Sequence, residues 1–181
     1  MSGSLPHRLA RQATLPFLLL LAVLAGLLYF VFFPALLANP ATLQQTGALD
    51  ARLSYTSQQA YQALEAYGPA GRAQYARTIL LLDIVFPVIY ALLLGLLAAR
   101  GLVRAFPTSP RIQILALLPF AAMLFDWLEN ASILTLLARF PQRLDGLAAA
   151  AGGFTSLKWL VLALAVLLAA GSLIAARLRK S

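Results

Sequence analysis

The chain has 181 residues, 61% of them hydrophobic and 11% charged, with a formal charge of +8; an ordinary soluble domain has roughly half and a quarter. It has no cysteine and one histidine, His7, which excludes disulfides, thiolate nucleophiles, cysteine-bound zinc, iron–sulfur clusters and a haem clamped by two histidines of one chain. The apolar residues come in runs of about twenty or more, the length that crosses a hydrocarbon core of about 30 Å, so the expected solvent is lipid.

In chain order, a polar tail carrying His7, Arg8 and Arg11 leads into a first span over about residues 15–38 with no charge inside it. Its apolar core is too long for a signal peptide, and no small-x-small cleavage site ends it. Residues 39–77 form an extracytoplasmic cap. Within it Thr56 stands three residues before Gln59, a capping-box spacing, and Gly68-Pro69 is a stop signal. A short amphipathic helix is expected there, with Tyr61, Leu64 and Tyr67 on one face, lying on the membrane or capping the bundle mouth. Further spans follow over about residues 78–99, 112–138 and 152–176. Backbone in lipid must satisfy itself and nothing alternates with period two, so the expected class is all-α: a single-domain, integral membrane four-helix bundle with the amphipathic helix after the first span.

Eight Lys and Arg flank the ends on one side (Arg8, Arg11, Arg100, Arg104, Arg111, Arg177, Arg179, Lys180), whereas six, diluted with acids, fall on the other. Both termini are therefore expected to be cytoplasmic. The basic residues sit in short loops and tails, a pattern that suits topology and anionic lipid headgroups rather than nucleic acid.

The polar residues inside the spans carry the functional reading. At a rise of about 1.5 Å per residue, Asp126 falls near the midplane of the third span, with Glu129 and Asn130 roughly 5 to 7 Å outward. Asp83 in the second span and Tyr29 in the first lie in the same half. Asp126, Glu129 and Asn130 share one helical stripe, and Asp83, Pro87 and Tyr90 another. A carboxylate facing lipid costs at least about 2.5 kcal/mol, so the two stripes are expected to face each other across an outward-opening pocket between helices two and three. Arg77 at its mouth and Lys158 at the outer end of the fourth span are the candidate cations, and at least one carboxyl is expected to be protonated. Pro87 frees a carbonyl near Asp83, and Pro119 one near Leu115.

Plainer roles are expected elsewhere. Tyr55, Tyr61, Tyr67 and Tyr75 suit an interfacial belt, Trp127 and Trp159 suit packing, and Ala91 with Gly95 and Ala99, Ala22 with Gly26, and Ala165 with Ala169 suit helix–helix contact.

The run "YGPAGRAQYARTILLLDIVFPVIYALLL", residues 67–94, together with "FDWLEN", residues 125–130, resembles an uncharacterised family of small bacterial four-span integral membrane proteins. The resemblance covers under a quarter of the chain. It implies a bacterial inner-membrane location and one shared site for Arg72, Tyr75, Asp83, Pro87, Tyr90, Asp126, Glu129 and Asn130. Acids facing a greasy cavity are also similar to the sterol isomerase and sigma-2 receptor group, although the motif order of that group is missing; this likeness implies a cationic amphiphile or an alkene to be protonated.

The expected function is an intramembrane acidic pocket that binds or transports a proton, cation or lipophilic ligand through Asp83, Asp126, Glu129, Asn130, Tyr90, Tyr29, Arg77 and Arg72. The alternatives are an enzyme using a protonated carboxyl as general acid on a lipid or isoprenoid substrate, and an accessory subunit of a larger membrane complex. No metal or cofactor is expected; the expected partners are membrane lipids, a lipophilic or cationic small ligand, and further copies or other subunits.

Overall fold

The computed structural model describes residues 4–179, whose regular elements are all helices, with no strand among them. Four helices are long and apolar enough to cross a membrane: Leu15–Leu37, Ser57–Ala105, Pro110–Arg139 and Asp145–Leu178.

An eight-residue helix, α1 (Leu5–Gln12), precedes them, in what reads by sequence as tail. Pro6 is in its first turn, and Leu9 and Ala13 are buried beside the C-terminal part of α6, where the Arg100 guanidinium donates to the Ala13 carbonyl. The first span consists of α2 (Leu15–Leu27), a π-turn (Leu28–Phe32) and α3 (Phe33–Leu37). Only Leu18 and Leu21 of α2 are buried, against α6. Ala22 is exposed and Gly26 has open space beside it, so this small-residue pair is not a packing stripe; α6 covers another face of the helix.

After α4 (Ala41–Thr46) and a loop, α5 (Ser57–Thr78) opens on the expected capping box, with the Gln59 amide donating to Thr56 Oγ1 and the Thr56 amide to Gln59 Oε1. The helix does not stop at Gly68-Pro69. Gly68 takes φ +64°, a left-handed conformation open to glycine, and Pro69 restarts the helix in a new direction. The chain then runs through a π-turn (Ile79–Asp83) into α6 (Phe86–Ala105). Next come α7 (Pro110–Gln113), a 3-10 turn (Ile114–Leu117) and α8 (Leu118–Arg139), and finally α9 (Asp145–Leu178). Helices α6, α8 and α9 pack mutually, with Ala91, Gly95, Ala99, Ala165 and Ala169 buried as expected of small contact residues.

The four tyrosines expected in an interfacial belt are buried instead. Tyr55, Tyr61, Tyr67 and Tyr75 join Leu43, Leu49 and Leu64 in a core that closes one end of the bundle against Ile133 and Leu136 of α8. Each hydroxyl needs a partner away from water, and the loops bring carbonyls to two of them: Tyr67 donates to Gly47 at 2.7 Å and Tyr61 to Gln142 at 3.3 Å. Burial of each leucine in this core contributes about 1.5–3 kcal/mol.

The loop between α4 and α5 lies flat on α9 because Gly152 has no side chain; a Cβ there would overlap the Tyr55 carbonyl oxygen. Gly152→Ala is expected to lower stability by about 1–3 kcal/mol, the usual cost of overpacking against backbone. Thermal unfolding in a maltoside detergent measures it, and an unchanged midpoint would show that the loop is not seated there.

Candidate functional site

The site begins at a break in the second span. Pro87 has no N–H, so the Asp83 carbonyl loses its helical donor, and the Val88 amide turns to Val85, releasing the Ile84 carbonyl as well. The third span satisfies both. Asn130 Nδ2 donates to the Asp83 carbonyl at 3.0 Å and Trp127 Nε1 to the Ile84 carbonyl at 3.1 Å. Residues 127 and 130 are a helical i, i+3 pair, so the two bonds set the register of α8 on the break. Asn130→Ala would strand a buried carbonyl, at a cost of about 1–3 kcal/mol. Loss of thermal stability of that size is the expected result, and a neutral substitution would rule out this docking role.

In that register Asp83 and Asp126 face one cavity of about 400 Å³. Asp126 Oδ2 accepts from the Tyr90 hydroxyl at 3.1 Å, and Oδ1 accepts from Asn130 at 3.3 Å. One turn along, Glu129 is fully buried behind the wall, where Thr155 Oγ1 donates to Oε1 and Lys158 Nζ lies 2.6 Å from Oε2. The same ammonium is 3.7 Å from Asp126 and donates to the Asp50 carbonyl at 3.1 Å. The ammonium thus forms ion pairs with two carboxylates and donates one hydrogen bond, to the loop carbonyl.

Asp50 comes from the loop before α5. Its carboxylate accepts from the Tyr75 hydroxyl, which in turn accepts from the Asp50 amide. Trp159 Nε1 ties the same loop to α9 through the Arg52 carbonyl at 2.8 Å. Nearby Tyr55 is held neutral, since burial above all, and then the Glu129 charge, raises its hydroxyl above the usual phenol range.

The cavity is not a cleft between the second and third spans alone, because Asn130 and Trp127 close that seam. One wall is the first span, through Tyr29, Phe30 and Phe33, and the opposite wall is the fourth, through Lys158 and Trp159. Of the residues expected at the site, Asp83, Asp126, Tyr90 and Tyr29 line the cavity, while Glu129 and Asn130 support it from behind. Tyr75, implied by the family resemblance, reaches it through Asp50.

The two arginines do not line the cavity. Arg72 donates to the Leu64 carbonyl at 2.8 Å and stacks 4.0 Å over the Phe140 ring, and Arg77 is exposed with no ion pair to any acid of the described residues. Both stand on α5 beyond the Gly68 kink. By sequence Asp50 reads as one of the acids that dilute the loop cations, and Trp159 as a packing residue. Nothing local to either position distinguishes it; Asp50 meets Tyr75 across 25 residues and Lys158 across 108.

No family model, curated protein or solved structure matches the chain. The site is therefore read from its geometry.

Four acids, Asp50, Asp83, Asp126 and Glu129, surround the one cation Lys158. Three are hydrogen-bonded or ion-paired. The Asp83 side chain, 5% exposed and directed into the cavity, is met by no hydrogen bond or ion pair from the described residues. Around it stand six aromatic rings, Tyr29, Phe30, Phe33, Phe86, Tyr90 and Trp159. A buried carboxyl without such a partner, in a cavity lined by aromatic rings, suits a proton or an organic cation.

Proposed function

We propose that this chain is an integral protein of the bacterial inner membrane, with both termini cytoplasmic and the loop and α5 capping the outer end, and that its cavity binds a lipophilic cation. The reading is supported chiefly by Asp83, a carboxyl held at the break of the second span and paired with none of the described residues. The cationic head of the ligand lies between Asp83 and Asp126, with Tyr90 and Tyr29 against it, and its apolar tail follows Phe30, Phe33 and Leu162 towards the acyl chains. Lys158 does not repel such a head as a free ammonium would, because Glu129 lies 2.6 Å away and neutralises it.

A matched pair of probes tests this reading: a long-chain primary amine and the alcohol of the same length. In maltoside detergent the amine is expected to raise the thermal midpoint and the alcohol to leave it unchanged. Equal shifts would mean that hydrophobic partition alone is measured, and the cation site would be abandoned.

A further inference from the structure

All six acids of the chain lie between residues 50 and 145, in the cavity walls or the cap beyond them. Six of the fourteen cations share that half and balance those acids, and the other seven cations of the described residues belong to the opposite end. There a groove of about 380 Å³ runs between the start of α2, the last turns of α6 and the end of α9. Its floor is Leu15, Leu18, Leu97 and Leu173, and its rim is Arg100, Arg104 and Arg177. Arg100 uses one nitrogen on the Ala13 carbonyl, while Arg104 and Arg177 are exposed and make no hydrogen bond or ion pair with the described residues.

Three guanidinium groups around one apolar trough repel one another unless an anion sits between them. We propose that the groove holds one anionic glycerophospholipid, its phosphodiester between Arg100, Arg104 and Arg177 and an acyl chain along the four leucines. The apolar floor selects the lipid over free phosphate, because a small inorganic anion would leave it uncovered. Bound there, the lipid fills the space between α2 and α9 and braces the first span, which packs mainly on α6. The inference requires a membrane but is independent of what the acidic cavity binds.

The test uses the full chain, delipidated and placed in phosphatidylcholine nanodiscs with or without phosphatidylglycerol. Phosphatidylglycerol is expected to raise the thermal midpoint and to be retained in native mass spectra. Arg104→Gln with Arg177→Gln should weaken retention about thirtyfold, at about fivefold per arginine, while the Arg104→Lys, Arg177→Lys pair keeps most of it. Should the glutamine pair not fold, Arg177→Gln alone is expected to show the fivefold loss. The proposal is overturned if phosphatidylglycerol has no effect or its effect survives the glutamine substitutions. It is equally overturned if inorganic phosphate in phosphatidylcholine discs reproduces the shift, which would make the groove a free-anion site.

Discussion

Lys158→Met is expected to be the most destabilising single substitution in the chain, costing about 3–5 kcal/mol. Methionine matches the length of the lysine stem and keeps its packing, so the loss isolates the charge. Among the described residues, without the ammonium Glu129 is left fully buried with no cation, Asp126 loses its only ion-pair partner, and the Asp50 carbonyl loses its donor. Removing one partner of a buried pair costs far more than removing both. Lys158→Met combined with Glu129→Gln is accordingly expected to regain most of the stability, since the glutamine keeps the Thr155 contact without a charge. Thermal midpoints of the two single variants and the double in one detergent make the comparison. A Lys158→Met protein as stable as the parent would mean that the ammonium is not the counter-ion of Glu129.

Asp83→Asn should act in the opposite sense on two measurements. The Asp83 carboxyl has no hydrogen-bond or ion-pair partner among the described residues, so an amide of the same shape removes a desolvation cost, and stability is expected to hold or to rise by about 1 kcal/mol. Binding of the amine probe is expected to weaken at least about thirtyfold, because truncating one side of a desolvated charge pair costs about 2–5 kcal/mol. Trp159 in the cavity wall provides a fluorescence readout for the titration. A carboxyl serving only as a clamp between helices would give the reverse, a less stable protein with unaltered binding.

How much of this was legible beforehand differs from residue to residue. Pro87 and Asn130 show both limits. That Pro87 frees the Asp83 carbonyl follows from the chemistry of proline, but that Asn130 supplies the missing donor depends on where α8 docks. Asp126 and Glu129 share a helical stripe by spacing alone, yet one lines the cavity and the other is sealed behind it, because Thr155 and Lys158 of α9 cover Glu129. The capping box at Thr56 is local and formed as expected. The stop signal at Gly68-Pro69 became a kink, because the residues after it start another helix and lead directly into the second span.

What the sequence determined by itself is what solvent and local geometry dictate: four apolar helices and the acids within them that could not be left facing lipid. Those properties depend on residues within a few turns of one another and on the medium around them. The tertiary structure alone decided that a loop would carry Asp50 into the cavity, that Lys158 would be shared among Glu129, Asp126 and the Asp50 carbonyl, that the tyrosines would be buried, and that Arg72 and Arg77 would stand apart. Each of these pairs groups far apart in the chain, and which distant groups meet is set by how the helices pack, which no local pattern encodes.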